Sequence, residues 1–135
     1  MTVVYVGEID NPMAVLIRSN ERVDGINFFT PGHFSQQLGL MSRSTGYVVP
    51  AHTHNLVERK ITQTQEVLLL RIGRIRVTIY DENSAAISEI DMYPGDVILL
   101  AHGGHKIEVL EDAEILEVKQ GPYAGPNDKT HFTEK

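Results

Sequence analysis

The sequence predicts an all-β fold, an antiparallel sandwich or barrel, on three observations. Turn-forming residues such as Asn11-Pro12, Asp24-Gly25, Pro31-Gly32, Gly46, Gly73, Pro94-Gly95, Gly103-Gly104 and Gly121-Pro122 cut the chain into pieces of strand length. Within those pieces apolar residues recur at every second position. No stretch between the turns is long enough to carry the apolar period of a long helix.

Taken in order, the first strand candidates are Val3 to Val6, Ala14 to Arg18, Gln37 to Ser42 and Gly46 to His54, all rich in β-branched or apolar residues. Glu66 to Ile72 and Arg74 to Tyr80 follow, separated by Gly73. Glycine accepts positive φ without steric cost, so Gly73 is expected to make a tight hairpin between them. The second of the two alternates strictly, which sets Ile75, Val77 and Ile79 on one buried face and Arg74 and Arg76 on a wet one. Ala86 to Met92, Val97 to Ala101, Lys106 to Leu110 and Glu114 to Gln120 complete the set, with turns at Asp81-Glu82-Asn83, Pro94-Gly95, Gly103-Gly104 and Asp112.

The chain has 135 residues, 12 basic and 18 acidic, for a formal net charge of −6. Neither a repeat nor a linker-like shift in composition divides it, so residues 1–135 are expected to form one domain. Its length allows a core without staples. The acidic excess argues against a nucleic-acid partner, because phosphate neutralisation needs clustered Lys and Arg. The densest basic stretch, Arg71, Arg74 and Arg76, lies in the alternating segment just described. Apolar runs such as Val67 to Leu70 and Val97 to Ala101 fall far short of a membrane span. The start lacks a basic region and meets Glu8 early, so no signal peptide is expected and a cytoplasmic location is the default.

There are no cysteines and 6 histidines, so any metal must be held by imidazole and oxygen. His52 and His54 are one residue apart, which in an extended strand projects both rings from one face. Around them the spacing is G-x5-H-x-H from Gly46 to His54, then E-x6-G from Glu66 to Gly73. Farther on, Pro94-Gly95-Asp96 opens a strand that ends at His102-Gly103-Gly104-His105. In this two-motif combination, over about residues 40 to 120, the sequence resembles the cupin superfamily of small jelly-roll β-barrels.

The resemblance implies a cupin barrel core over about residues 37–120, with strands of residues 3–30 packing on it or on a partner. It also implies one divalent transition metal, Zn²⁺, Fe²⁺, Mn²⁺ or Ni²⁺, held inside the barrel by His52, His54, Glu66 and His105. Three imidazoles and one carboxylate suit those ions. In an octahedral site two positions would remain for water, oxygen or a chelating ligand. Two departures leave alternatives open. Glu58 stands closer to the family's usual distance after the second histidine, while Glu66 has the right distance to its glycine. His105 falls one residue short of the family spacing, Ala101 stands where proline is usual, and His102 is the other candidate for the last ligand. His33 and His131 are expected at the surface.

Leu99 to His105 together with Glu117 to Tyr123 resembles a group of small bacterial cupins, some of them associated with surface-sugar pathways. That makes a small polar, sugar-related molecule a candidate ligand, and Glu117 or Lys119 a candidate lining of the barrel mouth. Three functions compete. The first is a metal-binding cupin with a small polar ligand, its reaction unassigned among isomerase, oxygenase and lyase types. The second is a metal-free sugar-nucleotide epimerase or isomerase, with a histidine as base and Tyr80, Tyr93 or Tyr123 as acid. The third is a non-catalytic metabolite-binding module. A homodimer is expected from the resemblance and from Val3-Val4-Tyr5-Val6, a strong β former able to extend another sheet.

Overall fold

The longest ladder of the molecule joins two strands far apart in sequence. In the computed structural model, which describes residues 1–135, Glu66–Tyr80 (β5) runs antiparallel to Gly104–Lys119 (β8), from Glu66 opposite Lys119 to Tyr80 opposite Gly104. The other edge of β5 is shared. Residues Glu66 to Leu69 pair with Val97–Leu100 (β7), and Ile75 to Tyr80 pair with Ala86–Met92 (β6). Beyond β7 lie Asn11–Ile17 (β2) and then Val3–Glu8 (β1), both antiparallel. Gly25–Phe28 (β3) and Gly39–Ser42 (β4) form a separate two-stranded ribbon. The six-stranded sheet curls into a half-barrel. No α-helix is present, and no helix is long and apolar enough to cross a membrane.

Gly73 does not turn the chain back. It sits inside the continuous strand β5 with φ at +87°, and a Cβ there would run into the carbonyl of Asp112 on β8. The expected hairpin is therefore replaced by a bulge, and the ladder slips between Leu70 and Ile75. Asp112, expected to be a turn, is the facing half of the same irregularity, so Lys106 to Leu110 and Glu114 to Gln120 merge into one strand. A bulge increases local twist and bends the strand. This one folds the long β5–β8 ribbon over on itself.

Alternation along each strand separates two layers of apolar side chains. Leu68, Leu70, Ile75, Val77 and Ile79 from β5 join Ala14, Leu16, Ile98 and Leu100 on the concave side, all at most 3% exposed. Their neighbours Leu99 and Ala101 face outward and are covered by Phe34, with Leu38 and Val67 alongside. The arginines of β5 meet acids, as the wet face requires: Arg71 pairs with Glu114, Arg74 with Asp91 and Glu111, and Arg76 with Asp91 and Glu89.

Two further expectations are corrected or resolved. Gly46 to His54 forms no strand, and residues 43–65 contain no helix or strand. Pro50 removes a ladder donor within that run, and no strand of the sheet pairs with it. The run Val3 to Val6 pairs with β2 of its own chain.

Candidate functional site

Opposite residues in an antiparallel ladder point to the same face, so the pairing of Ile79 with His105 and of Leu68 with Glu117 puts His105 and Glu117 on the concave side. Glu66, two positions before Leu68, faces the same way. Along the ribbon Glu66 and His105 lie at opposite ends. The bend at Gly73 brings them together: His105 Nε2 is 2.8 Å from Glu66 Oε1, with the side chains 35% and 13% exposed. Glu66 is a strand residue facing the concave side, and Glu58 is an exposed residue outside any element.

Two carboxyls share this corner, and their environments drive them apart. Glu66 is lowered from 4.5 to about 2, chiefly by its hydrogen bond with His105, and further by Glu117 and the charge of Lys119, against a burial effect that raises it. Glu117 is raised, first by its hydrogen bond to Glu66 and then by burial. The two carboxyls are thus pushed in opposite directions, Glu66 toward its anion and Glu117 toward its protonated form. Lys119 Nζ, on the same face, is tied to Asp128 at 3.2 Å. Nε2 of His105 is engaged with Glu66, so Nδ1 is the ring nitrogen left for another partner.

A recess of about 30 Å³ adjoins His105, lined also by Thr64, Leu100 and His102. It has room for a water molecule and little more. A far larger cavity, about 790 Å³, opens where β8 begins and is lined by Tyr80, His105, Lys106 and the C-terminal residues. His105 is the one titratable residue common to both.

The remaining expected ligands lie elsewhere. His52 and His54 are exposed within residues 43–65, with ring centroids 5.3 Å apart and planes at 72°. Nδ1 of His52 is 2.8 Å from the carbonyl of Pro50, which leaves Nε2 free. His102 precedes β8 in a bend, its Nε2 3.1 Å from the carbonyl of Asn11. The structure thus forms two separate donor pairs, Glu66 with His105 and His52 with His54, and nowhere groups three or more His, Asp or Glu side chains around one point. As placed, the four do not fit a single ion. His33 is exposed at its turn, with Nε2 3.0 Å from the carbonyl of Asp10.

The chain matches no protein-family model, no curated protein and no solved structure. Function must come from the site. Of its residues, Glu117 had a signal in the sequence: it shares odd-numbered alternation with His105, Ile107 and Val109, and stays in phase across Asp112. The contacts of Tyr80 and Lys106 with the C-terminal tail had none, since nothing local announces which strand end a tail will cross.

Proposed function

We propose that this protein is a small-molecule isomerase or epimerase of the cupin jelly-roll type, acting by proton transfer at His105. The observation that carries this reading is the 2.8 Å contact of His105 Nε2 with Glu66 Oε1 on the concave face. A carboxylate on one nitrogen fixes the tautomer and raises the basicity of the other, which is the arrangement a general base needs. Glu117, raised by its neighbour Glu66 and by burial, stands beside that base and is placed to serve as the acid in its protonated form, so the two carboxyls have their affinities for protons pushed apart. With a carbonyl-bearing substrate, Nδ1 of His105 takes the proton from the carbon next to the carbonyl, and Glu117 gives its proton to the carbonyl oxygen. Return of a proton to the carbon, and of the hydroxyl proton to Glu117, yields the isomer or epimer and restores both groups. The curled sheet and the two-motif spacing support the jelly-roll reading, and the larger cavity that His105 lines gives a substrate access to it.

The test is solvent-deuterium incorporation into a panel of sugar nucleotides, keto acids and diketones, followed by mass spectrometry. Wild type should label at least one of them, and His105→Ala should reduce the rate on the order of 100-fold or more. Equal labelling by wild type and variant would sink the assignment.

One observation favours a second reading, a divalent metal site. The His52–His54 pair is pre-set, with Pro50 fixing the ring of His52, as a ligand histidine is commonly fixed by its other nitrogen. That reading needs residues 43–65 to bring the pair to Glu66 and His105. Elemental analysis after reconstitution with Zn²⁺, Fe²⁺, Mn²⁺ or Ni²⁺ decides it. One equivalent in wild type, lost in both His52→Ala and His105→Ala, establishes a shared site; no retained metal rejects it.

A further inference from the structure

Beyond the 3-10 turn Gly125–Asp128, the C-terminal tail crosses the end of the sheet where β5 finishes and β8 begins. Phe132 lies on Gly104, where a Cβ would stand 2.6 Å from the ring, and meets Tyr80 edge-on with centroids 5.2 Å apart. Two residues later the carboxylate of Glu134 is gripped at both oxygens. The Tyr80 hydroxyl donates to Oε2 at 2.6 Å, and Lys106 Nζ donates to Oε1 at 2.9 Å. The N–H of Lys135 donates to the carbonyl of Ser84 at 3.0 Å.

The two donors and the acceptor are held very differently. Tyr80 is 1% exposed, and it and Lys106 are set by one ladder, in which Tyr80 opposes Gly104 and Thr78 opposes Lys106. Glu134 belongs to a tail that is exposed from His131 onward and lies outside any helix or strand. The sheet thus supplies a rigid hydroxyl and ammonium, and the anion comes from a segment that can leave. Alternation places Tyr80 and Lys106 on the face opposite Ile79 and His105, so they take no part in the dyad. The adjoining cavity, about 790 Å³, is far larger than a carboxylate and lies in the range of small-molecule sites. Besides Lys106, the lining holds one lysine, Lys129, and it comes from the same tail segment.

From this geometry we propose that Tyr80, Lys106 and the open surface over Gly104 form a binding site for a small aromatic carboxylate, which Phe132 and Glu134 occupy in its absence. The tail itself defines the ligand class: a flat apolar ring seated on glycine, and a carboxylate between a tyrosine hydroxyl and an ammonium. Such a ligand would bind by displacing the tail, so the tail sets its affinity by competition.

Titration calorimetry on the full-length protein tests this, with phenylacetate and 3-phenylpropionate as probes, benzyl alcohol as the ring without charge and acetate as the charge without ring. Glu134→Gln weakens the tail's hold, and should tighten aromatic carboxylate binding on the order of 10-fold over wild type. In the Glu134→Gln background, Lys106→Met should abolish the gain, and Tyr80→Phe should do the same. Lys106 is half-exposed, so its replacement tests the site even if the tyrosine variant fails to fold. Hydrogen exchange at the Lys135 amide should accelerate on addition of phenylacetate. The proposal is overturned if Glu134→Gln binds the probes no better than wild type, if benzyl alcohol or acetate binds as well as phenylacetate, or if the Lys135 amide is unaffected by a bound probe.

Discussion

Glu66 Oε1 accepts a hydrogen bond from His105 Nε2 at 2.8 Å although the two residues lie near opposite ends of a strand pair fifteen and sixteen residues long. The contact measures how far the β5–β8 ribbon has curled. It is also the largest cause of the low Glu66 value, so His105→Ala should let the Glu66 carboxyl climb from about 2 toward its ordinary 4.5. A carboxyl held low contributes stability that is complete above its unfolded value and fades as pH falls through the folded one. Wild type should therefore lose this contribution progressively as pH falls from about 4.5 toward 2, while the variant, with Glu66 near its ordinary value, should show little acid-side dependence from this group. Carbon-detected NMR titration of the carboxyl reads the shift directly. An unchanged Glu66 midpoint in the variant would mean that the hydrogen bond does not set it.

The curl depends on Gly73. Its φ of +87° is unfavourable for a residue with a Cβ, and the added carbon would meet the Asp112 carbonyl. Gly73→Ala should therefore destabilise the fold by more than about 2 kcal/mol, combining backbone strain with the forced separation of β5 and β8. Urea unfolding should show a lower midpoint at unchanged slope. A variant as stable as wild type would show that the ribbon can bend by another route.

The inner face of β5 was legible from alternation: Ile75, Val77 and Ile79 are at most 1% exposed and Arg74 and Arg76 meet acids, while Thr78 and Tyr80 beyond them are buried on the other face as well. Gly73 was misread for a reason that lies outside its neighbourhood. Positive φ serves a hairpin turn and a bulge equally well, and what selects the bulge is Asp112, far along the chain. The same holds at Asp112, whose polarity suggests a turn until its partner strand is known. Glu66 and His105 could be named together as candidate site residues from the resemblance, but their direct contact depends on the curl that Gly73 and Asp112 create together. The strand expected over Gly46 to His54 fails for want of an edge to pair with, since alternation supplies a face and not a partner.

Asp96 fastens the turn between β6 and β7. It is 2% exposed, with Oδ2 2.8 Å from Arg18 NH1 and 2.9 Å from the N–H of Tyr93, and Oδ1 2.9 Å from the N–H of Ser19. Asp96→Ala leaves two backbone donors without acceptors and leaves the Arg18 guanidinium only the Asp91 carbonyl, 2.7 Å from NH1. A loss of about 3 kcal/mol is expected, within the range for breaking a buried ion pair. Asp96→Asn, which keeps one acceptor oxygen, should lose less. Chemical unfolding of the two variants checks the order, and equal losses would show that charge alone matters at this position.

Arg76 and Asp91 face each other across β5 and β6 and form two bonds, Nε to Oδ1 at 2.7 Å and NH2 to Oδ2 at 3.2 Å. Those bonds are the main cause that holds the Asp91 carboxyl below its ordinary 3.8, with burial opposing and the charges of Arg76, Arg74 and Arg18 assisting. The sign is that of a depressed acid: the contribution is complete above about pH 4 and is lost as pH falls through the folded value. Arg76→Gln removes the largest cause, so its urea midpoint should vary less than that of wild type below about pH 4, and the two should differ by a constant above it. The pair is partly open to solvent, with side chains 36% and 24% exposed, so the difference should shrink as salt is added. Parallel acid-side profiles in wild type and variant would show that Asp91 draws its low value from Arg74 and Arg18, the two other arginines whose charges reach it.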